Sequence, residues 1–427
     1  LGYAMNRRTL SPGGAMLRKP WNALFVDMTG DPAASPDRWP ADRLEHHLRA
    51  SGADIVKLTE LGNALFHAGM YRLAAASYIV AAEDERAIGA RLNLGRCRIR
   101  LGDWADAERQ ARAMLGINER HTAAWHLLAE ALEAGKQYMQ AADALRNAVK
   151  LAPDHALLHL QWGEMCEEAD DIETALFAYQ RAYELDPGNA RALRLFLFAK
   201  RNVCEWDGLD ALSSRLKAAV ASGTAFEAMP FDFLVEGAGP ALEQLCARTQ
   251  ATRMAAKAAR EPLRTVEREP GAKHRIGFVS NGFGLHPTTL LTSAMFEYLR
   301  QQPLEIHLFS TRDDEGKAQR SRLAAAVHYF HQLPDATPRA IAERIRENGI
   351  EVLLDLDGYR RARMPEVFAY RAAPVQVNWM AYPGTTGAAY MDYVIADRIV
   401  LPDALRPFFD ERAVYLPRCF QSTDVTR

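Results

Sequence analysis

The sequence predicts two architectures in series: a superhelix of paired α-helices, then an α/β lobe built on a parallel sheet. Two observations carry this. Small residues recur at Gly62, Gly95, Ala129 and Gly163, at spacings of 33, 34 and 34. After His274 that period gives way to short apolar runs alternating with helical stretches, the pattern of a parallel sheet covered on both faces. A chain of 427 residues is too long for one core, and 48% apolar residues are ample for two.

Residues 1–52 are rich in Pro and Gly (Pro12, Gly13, Gly14, Pro32, Pro36, Pro40) and read as an irregular leader with one short helix near 41–50. Residues 53–200 form the repeat array. Twelve residues after each small position comes alanine: Ala74, Ala107, Ala141, Ala175. Sixteen after come Tyr78, Ala111, Leu145 and Tyr179, and nineteen after come Ala81, Met114, Ala148 and Ala182. The last two units close with Pro153 and Pro187. Small side chains let two helices approach, the aromatic or leucine fills the groove between them, and proline ends the second helix. Registers held in phase over four units make this the tetratricopeptide pattern and not a generic helical bundle. Such arrays stack into a superhelix whose concave groove holds peptides or partner helices. A fifth unit starts at Asn189 and fades near Lys200. Residues 201–270 read as a helical linker, with helices over 206–221 and 239–260 before a charged stretch, 261–273.

Residues 271–427 form the second architecture. Strands are expected at 275–280, 304–310, 327–332, 351–357, 375–380 and 391–397, with helices at 287–300, 317–326, 338–348 and 363–372. This is a Rossmann-like lobe, whose ligands bind at the carboxyl ends of the strands.

Three segments at those ends could carry chemistry. The first strand runs into a turn, Ser280 to Thr289, containing Gly282, Gly284 and His286. The glycines allow close backbone approach, but the third glycine of a dinucleotide fingerprint is absent. Pro287 suits a first helical turn and places His286 at the helix mouth, where the positive helix end disfavours an imidazolium. A neutral imidazole there can exchange a proton or a hydrogen bond near pH 7; the same spacing also fits a capping histidine with no chemistry. Asp355-Leu356-Asp357 is a literal DxD. It reads either as a divalent-metal motif or, with Gly358 following and no third ligand nearby, as a strand end and turn. The third segment, Met380 to Gly387, has two glycines, a proline and the hydroxyls of Thr385 and Thr386. It reads as a small-residue floor with donors available, or as an ordinary loop.

Charge excludes some functions. The net charge is -2, which gives no bulk attraction to nucleic acid or to an anionic membrane. No apolar run approaches the roughly 20 residues of a spanning helix, and a secretory signal is not expected because Asn22 and Asp27 interrupt the longest N-terminal apolar stretch. Five scattered cysteines with no CxxC pair point to reduced thiols and a cytoplasmic protein.

Together the motifs resemble the protein O-GlcNAc transferase family, including its SPINDLY-like members. The matching pieces are Gly277-Phe278-Val279-Ser280, Asn281-Gly282-Phe283-Gly284-Leu285-His286-Pro287-Thr288, Asp357-Gly358-Tyr359, Arg371-Ala372-Ala373-Pro374-Val375-Gln376-Val377-Asn378-Trp379, Ala381-Tyr382-Pro383-Gly384-Thr385-Thr386-Gly387 and Met391-Asp392-Tyr393. Repeats upstream of such a block are the family's own architecture. The resemblance implies the N-terminal half of a GT-B glycosyltransferase, with residues 271–427 as its first lobe. It implies inverting transfer of N-acetylglucosamine from UDP-GlcNAc to Ser or Thr hydroxyls of a protein or peptide acceptor held in the repeat groove, with no cofactor and no bound metal. It puts His286 at the active-site histidine. It also puts Gly284, Pro287, Thr288, Met380, Ala381, Tyr382, Pro383, Gly384, Thr385 and Thr386 along the substrate.

Two departures qualify this. Vertebrate members of the family carry a ladder of asparagines two residues before each small repeat position, whereas these positions here are Glu60, Asn93, Leu127 and Gln161. The family's second lobe, with most uridine and diphosphate contacts, is not among residues 1–427. Loss of one charge-stabilising donor costs about 2.7–4 kcal/mol in the transition state, so these 427 residues alone are expected to be inactive. The alternatives are a non-catalytic repeat scaffold and an O-fucosyltransferase using GDP-fucose.

Overall fold

The computed structural model describes residues 20–29, 39–84, 87–224, 228–263, 273–312, 316–334, 336–360 and 364–424. The chain forms two compact units, Leu1–Asp186 and Pro187–Arg427. Much of the expected leader (1–19, 30–38) and most of the charged stretch (264–272) lie outside the described residues.

The first unit is helical: α1 (Pro20–Thr29), α2 (Ala41–Ser51), α3 (Ile55–His67), α4 (Tyr71–Ala81), α5 (Ile88–Arg100), α6 (Trp104–Ile117), α7 (Thr122–Ala134), α8 (Tyr138–Leu151), α9 (Ala156–Glu168) and α10 (Ile172–Leu185). From α3 onward they pair as the 33–34-residue repeat requires. A Cβ on Gly62 would lie 2.5 Å from the Tyr78 ring, one on Gly163 2.5 Å from Tyr179, and one on Gly95 2.6 Å from Leu127. The small residue and its large neighbour are therefore one packing unit. Helix α1 replaces part of the expected irregular leader. Leu24, Phe25 and Met28 share a helical face, and Phe25 is fully buried edge-on to Trp39, while Asp27 pairs outward with Lys57.

A polar ladder crosses successive repeats. Asn93 Nδ2 donates to Asn63 Oδ1 (3.0 Å), which also accepts from Tyr78 OH (2.6 Å). Arg96 donates to Asn93 Oδ1 (3.3 Å) and to Glu130 (3.2 Å). Further along, His126 bonds Gln161 (2.8 Å). Leu127, at one asparagine-ladder position, is fully buried against Gly95.

The second unit opens with α11 (Ala190–Asn202), α12 (Leu209–Ala221), α13 (Pro230–Leu234) and α14 (Pro240–Ala258). Helix α11, at the position of a fading fifth repeat, falls in this unit. The sheet follows: β1 (His274–Ser280), β2 (Leu304–Ser310), β3 (Tyr329–Gln332), β4 (Val352–Asp355), β5 (Val375–Asn378), β6 (Tyr393–Ala396) and β7 (Arg412–Tyr415), all parallel, in the order 3-2-1-4-5-6-7. Helices α15 (Pro287–Leu299) and α16 (Lys317–Ala326) cover one face around Phe278, Phe296 and Leu323. Helices α17 (Pro338–Glu347) and α18 (Glu366–Ala369) cover the other around Phe309, Ile345 and Phe368, joined by Ala251 of α14. Helix α18 is shorter than expected because Arg371 turns to φ 51 and donates to Tyr390 O, Pro374 O and Asp392. Strands β4 and β5 stop two residues early, at Asp355 and Asn378, and the turns that replace those residues build the site.

Candidate functional site

Strands β1 and β4 are neighbours, and the chain leaves them toward opposite edges of the sheet. Ligands of doubly wound sheets bind outside the carboxyl ends at this reversal. The turns after β1, β4 and β5 meet there.

The DxD aspartates brace the turns. Asp355 Oδ1 accepts from the N–H groups of Asp357 and Gly358, both at 2.9 Å. Asp357 accepts from Ser280 Oγ (2.9 Å) and from Asn281 N (2.8 Å). Both are 5% exposed. A buried carboxylate needs such donors, and these bonds tie β4 to the turn after β1. Among the described residues no group of three or more His, Cys, Asp and Glu is arranged to hold a metal ion.

His286 is the N-cap of α15, in extended backbone (φ -146, ψ 150). Its Nδ1 accepts from Thr288 N at 3.1 Å and lies 3.0 Å from Thr288 Oγ. A backbone N–H can only donate, so Nδ1 carries the lone pair and the neutral ring carries its proton on Nε2. The ring sits against Gly282, where a Cβ would lie 2.5 Å from Nδ1. Gly284 is buried and accepts from His286 N at 2.9 Å. Pro287 is exposed as the first residue of α15, and Thr288 is 2% exposed beneath it. The capping role is thus real, as it is for His121 and His155 at α7 and α9. Any chemistry rests on Nε2.

After β5 the backbone leaves strand geometry at Met380, whose φ of 86 a side-chain-bearing residue rarely adopts. Ala381 and Tyr382 follow. Tyr382 is 4% exposed and stacks edge-on to Tyr359 (5.4 Å). Burial pushes both phenols well above their usual range, so both stay neutral. Gly358 (φ 60) is required here, since its Cβ would lie 2.3 Å from Tyr382 Cβ. Gly384 lies against the Tyr382 hydroxyl in the same way, at 2.7 Å. Met380, Tyr382 and Pro383 line a small cleft with Trp379, Leu401 and Phe420.

Thr385 and Thr386 face inward. Thr385 Oγ donates to Glu411 Oε2 (2.7 Å), and Glu411 Oε1 accepts from both Thr386 N (2.6 Å) and the Thr386 hydroxyl. The hydroxyl donors expected from sequence to be available are therefore committed to a carboxylate that is 2% exposed. No motif flags Glu411; its only signal is an acidic residue directly before a short apolar strand. The predicted residues thus gather at one sheet edge, the two threonines behind it.

Comparison with known proteins bears on this edge. Residues 244–427 match the model of glycosyl transferase family 41. A probable UDP-N-acetylglucosamine–peptide N-acetylglucosaminyltransferase SEC of Arabidopsis thaliana is 34% identical over 160 residues, 37% of this chain and 16% of that protein. The corresponding transferase of Caenorhabditis elegans is 35% identical over 35% of this chain and 13% of its own length. A probable SPINDLY transferase of Arabidopsis thaliana is 27% identical over 36% and 17%. The chain thus matches only 13–17% of the length of each of these relatives. Among solved structures, a variant of the Thermobaculum terrenum O-GlcNAc transferase is 27% identical, with TM-score 0.49, covering 78% of this chain and 58% of that one.

Proposed function

We propose that this chain, whose residues 244–427 match the model of glycosyl transferase family 41, carries the acceptor-binding array and the first lobe of the catalytic domain of a protein O-glycosyltransferase. The reaction moves N-acetylglucosamine from UDP-GlcNAc to a Ser or Thr hydroxyl of a polypeptide, with inversion. The relatives' names favour this sugar over fucose.

The observation that carries the reading is His286 at the reversal of the sheet, with Nδ1 locked in the helix cap. The remaining nitrogen, Nε2–H, is a donor. His286 therefore orients an oxygen of the donor or acceptor and is not the base that removes the acceptor proton. As the hydroxyl attacks the anomeric carbon, UDP leaves and negative charge grows on its diphosphate. Preorganised donors at that point supply much of the rate, and a donating imidazole beside the N-terminus of α15 has the right sign. Asp355 and Asp357 are tied to backbone amides, which supports transfer that does not route this charge through a metal. Met380, Ala381, Tyr382 and Pro383 form the apolar wall against which the sugar lies.

Replacing His286 by Asn separates the two roles, because asparagine is as good an N-cap as any residue. In a protein that also carries the second lobe, His286→Asn should leave the thermal midpoint within about 2 °C of wild type and lower transfer from labelled UDP-GlcNAc by about 100- to 1000-fold. Retained transfer would reduce His286 to a cap.

A further inference from the structure

The loop from Met380 to Gly387 has little regular structure of its own, yet it must hold one shape for the cleft to exist. It begins at a strained φ of 86 and ends at Gly387 (φ 62), whose Cβ would lie 2.4 Å from the Arg248 backbone nitrogen. Between those points its hydrogen bonds come from side chains. Tyr359 OH donates to Thr386 O (2.8 Å), and Thr385 Oγ accepts from Gly387 N (3.1 Å) and Asp410 N (3.2 Å). Asn378 Nδ2 donates to Gly384 O (3.4 Å), and three more bonds run to Glu411: Thr385 Oγ, Thr386 N and Thr386 Oγ all donate to its two carboxylate oxygens. Thr385 thereby uses its one donor and both acceptor sites. The neighbouring Asp410 is fixed from outside by Arg248 Nε (2.7 Å) and Gln244 Nε2 (2.9 Å) of α14. A rigid helix thus holds Asp410, the next residue in the chain is Glu411, and Glu411 holds the loop.

We propose that Glu411 is the positioning residue of the sugar-donor loop: it sets the shape of 380–387, and so the cleft wall, without touching substrate. The assignment to a sugar donor rests on the function proposed above; the clamp itself does not. Removing the carboxylate leaves three donors buried without an acceptor, which is a local penalty at the loop and not in the sheet. A glutamine keeps one carbonyl acceptor for Thr386 N, and a threonine hydroxyl can turn to accept from its amide, so it restores part of the clamp.

The test compares wild type, Glu411→Gln, Glu411→Ala and Thr386→Val by two readouts, in a protein that carries the second lobe as well, because residues 1–427 alone are expected to be inactive. In amide hydrogen exchange, Glu411→Ala should speed exchange across 384–387 at least tenfold, Glu411→Gln and Thr386→Val should fall between it and wild type, and amides of β1 and β4 should not change. In transfer assays, KM for UDP-GlcNAc should rise about tenfold in Glu411→Ala and less in Glu411→Gln, with KM for the acceptor unaltered. Unchanged loop exchange in all variants overturns the clamp. Altered loop exchange with unchanged donor KM overturns its role in donor binding. If wild type transfers no sugar, the proposed function falls while the exchange result still decides the clamp. Should Glu411→Ala fail to fold, Glu411→Gln and Thr386→Val decide it by the same criteria.

Discussion

A single nitrogen separates the two readings of His286 that its spacing leaves open. The sequence places the ring at a helix mouth; the hydrogen bond from Thr288 N shows which nitrogen carries the lone pair and which the proton. Met380 is the complementary case, where the motif is legible and the strain is not. No residue type announces φ 86 in advance. Strained positions persist when surrounding structure over-determines them, at about 1–3 kcal/mol each. Met380→Gly should therefore raise the unfolding free energy by up to about 1 kcal/mol, measured in urea, while removing a wall of the cleft and raising KM for the sugar donor. A variant that is less stable than wild type would show that Met380 contributes more packing than strain.

The repeat helices were legible as elements because each small residue, alanine and aromatic must recur for the helices to close. The same contacts predict opposite signs for one substitution. Gly163→Ala drives a methyl into the Tyr179 ring, 2.5 Å away, and should destabilise by about 1–3 kcal/mol. Gly89→Ala in α5 meets nothing within 4 Å and should stabilise by about 0.4–1 kcal/mol; chemical denaturation of the two variants checks the difference. Strand β7 was not legible, since four residues reading Arg-Ala-Val-Tyr carry no run or period long enough to stand out. Helix α13 is five residues long and escapes for the same reason. Strands β2 and β3 also carry a pH dependence. His331 stacks on Phe309 at 4.5 Å and bonds His307 at 3.2 Å. Burial, then His307 and Arg344, depress His331 to about 4, and burial lowers His307 as well. Unfolding frees these rings to bind protons that the native state refuses. Stability should therefore be intact above about pH 6.5 and fall as the pH drops toward 4, with a slope of at most about 1.4 kcal/mol per pH unit for each ring. His331→Gln should flatten that acid limb; an unchanged limb would place its origin in other groups.

At the scale of the molecule, the two units divide the proposed reaction between them, and this division can be tested without reference to how they are arranged. Transfer to a polypeptide draws binding energy from parts of the acceptor remote from the reacting hydroxyl. The ladder of Asn63, Asn93, Arg96 and Glu130, bonded side chain to side chain across successive repeats, is the proposed contact for that acceptor. Of the four asparagine positions the family pattern suggests, only Asn93 belongs to this ladder, and Asn63, Arg96 and Glu130 lie elsewhere, so the sequence locates the array but only part of its chemistry. Asn93→Ala combined with Arg96→Ala should raise KM for a protein acceptor about tenfold, the equivalent of about 1.4 kcal/mol. KM for UDP-GlcNAc should not move, and a peptide too short to span two repeats should be affected least. Stability is a poor alternative explanation, because the Arg96–Glu130 pair is 37% and 29% exposed and such pairs contribute about 0–1 kcal/mol. Parallel losses for donor and acceptor would show that the repeats support the lobe's fold and do not hold the client chain.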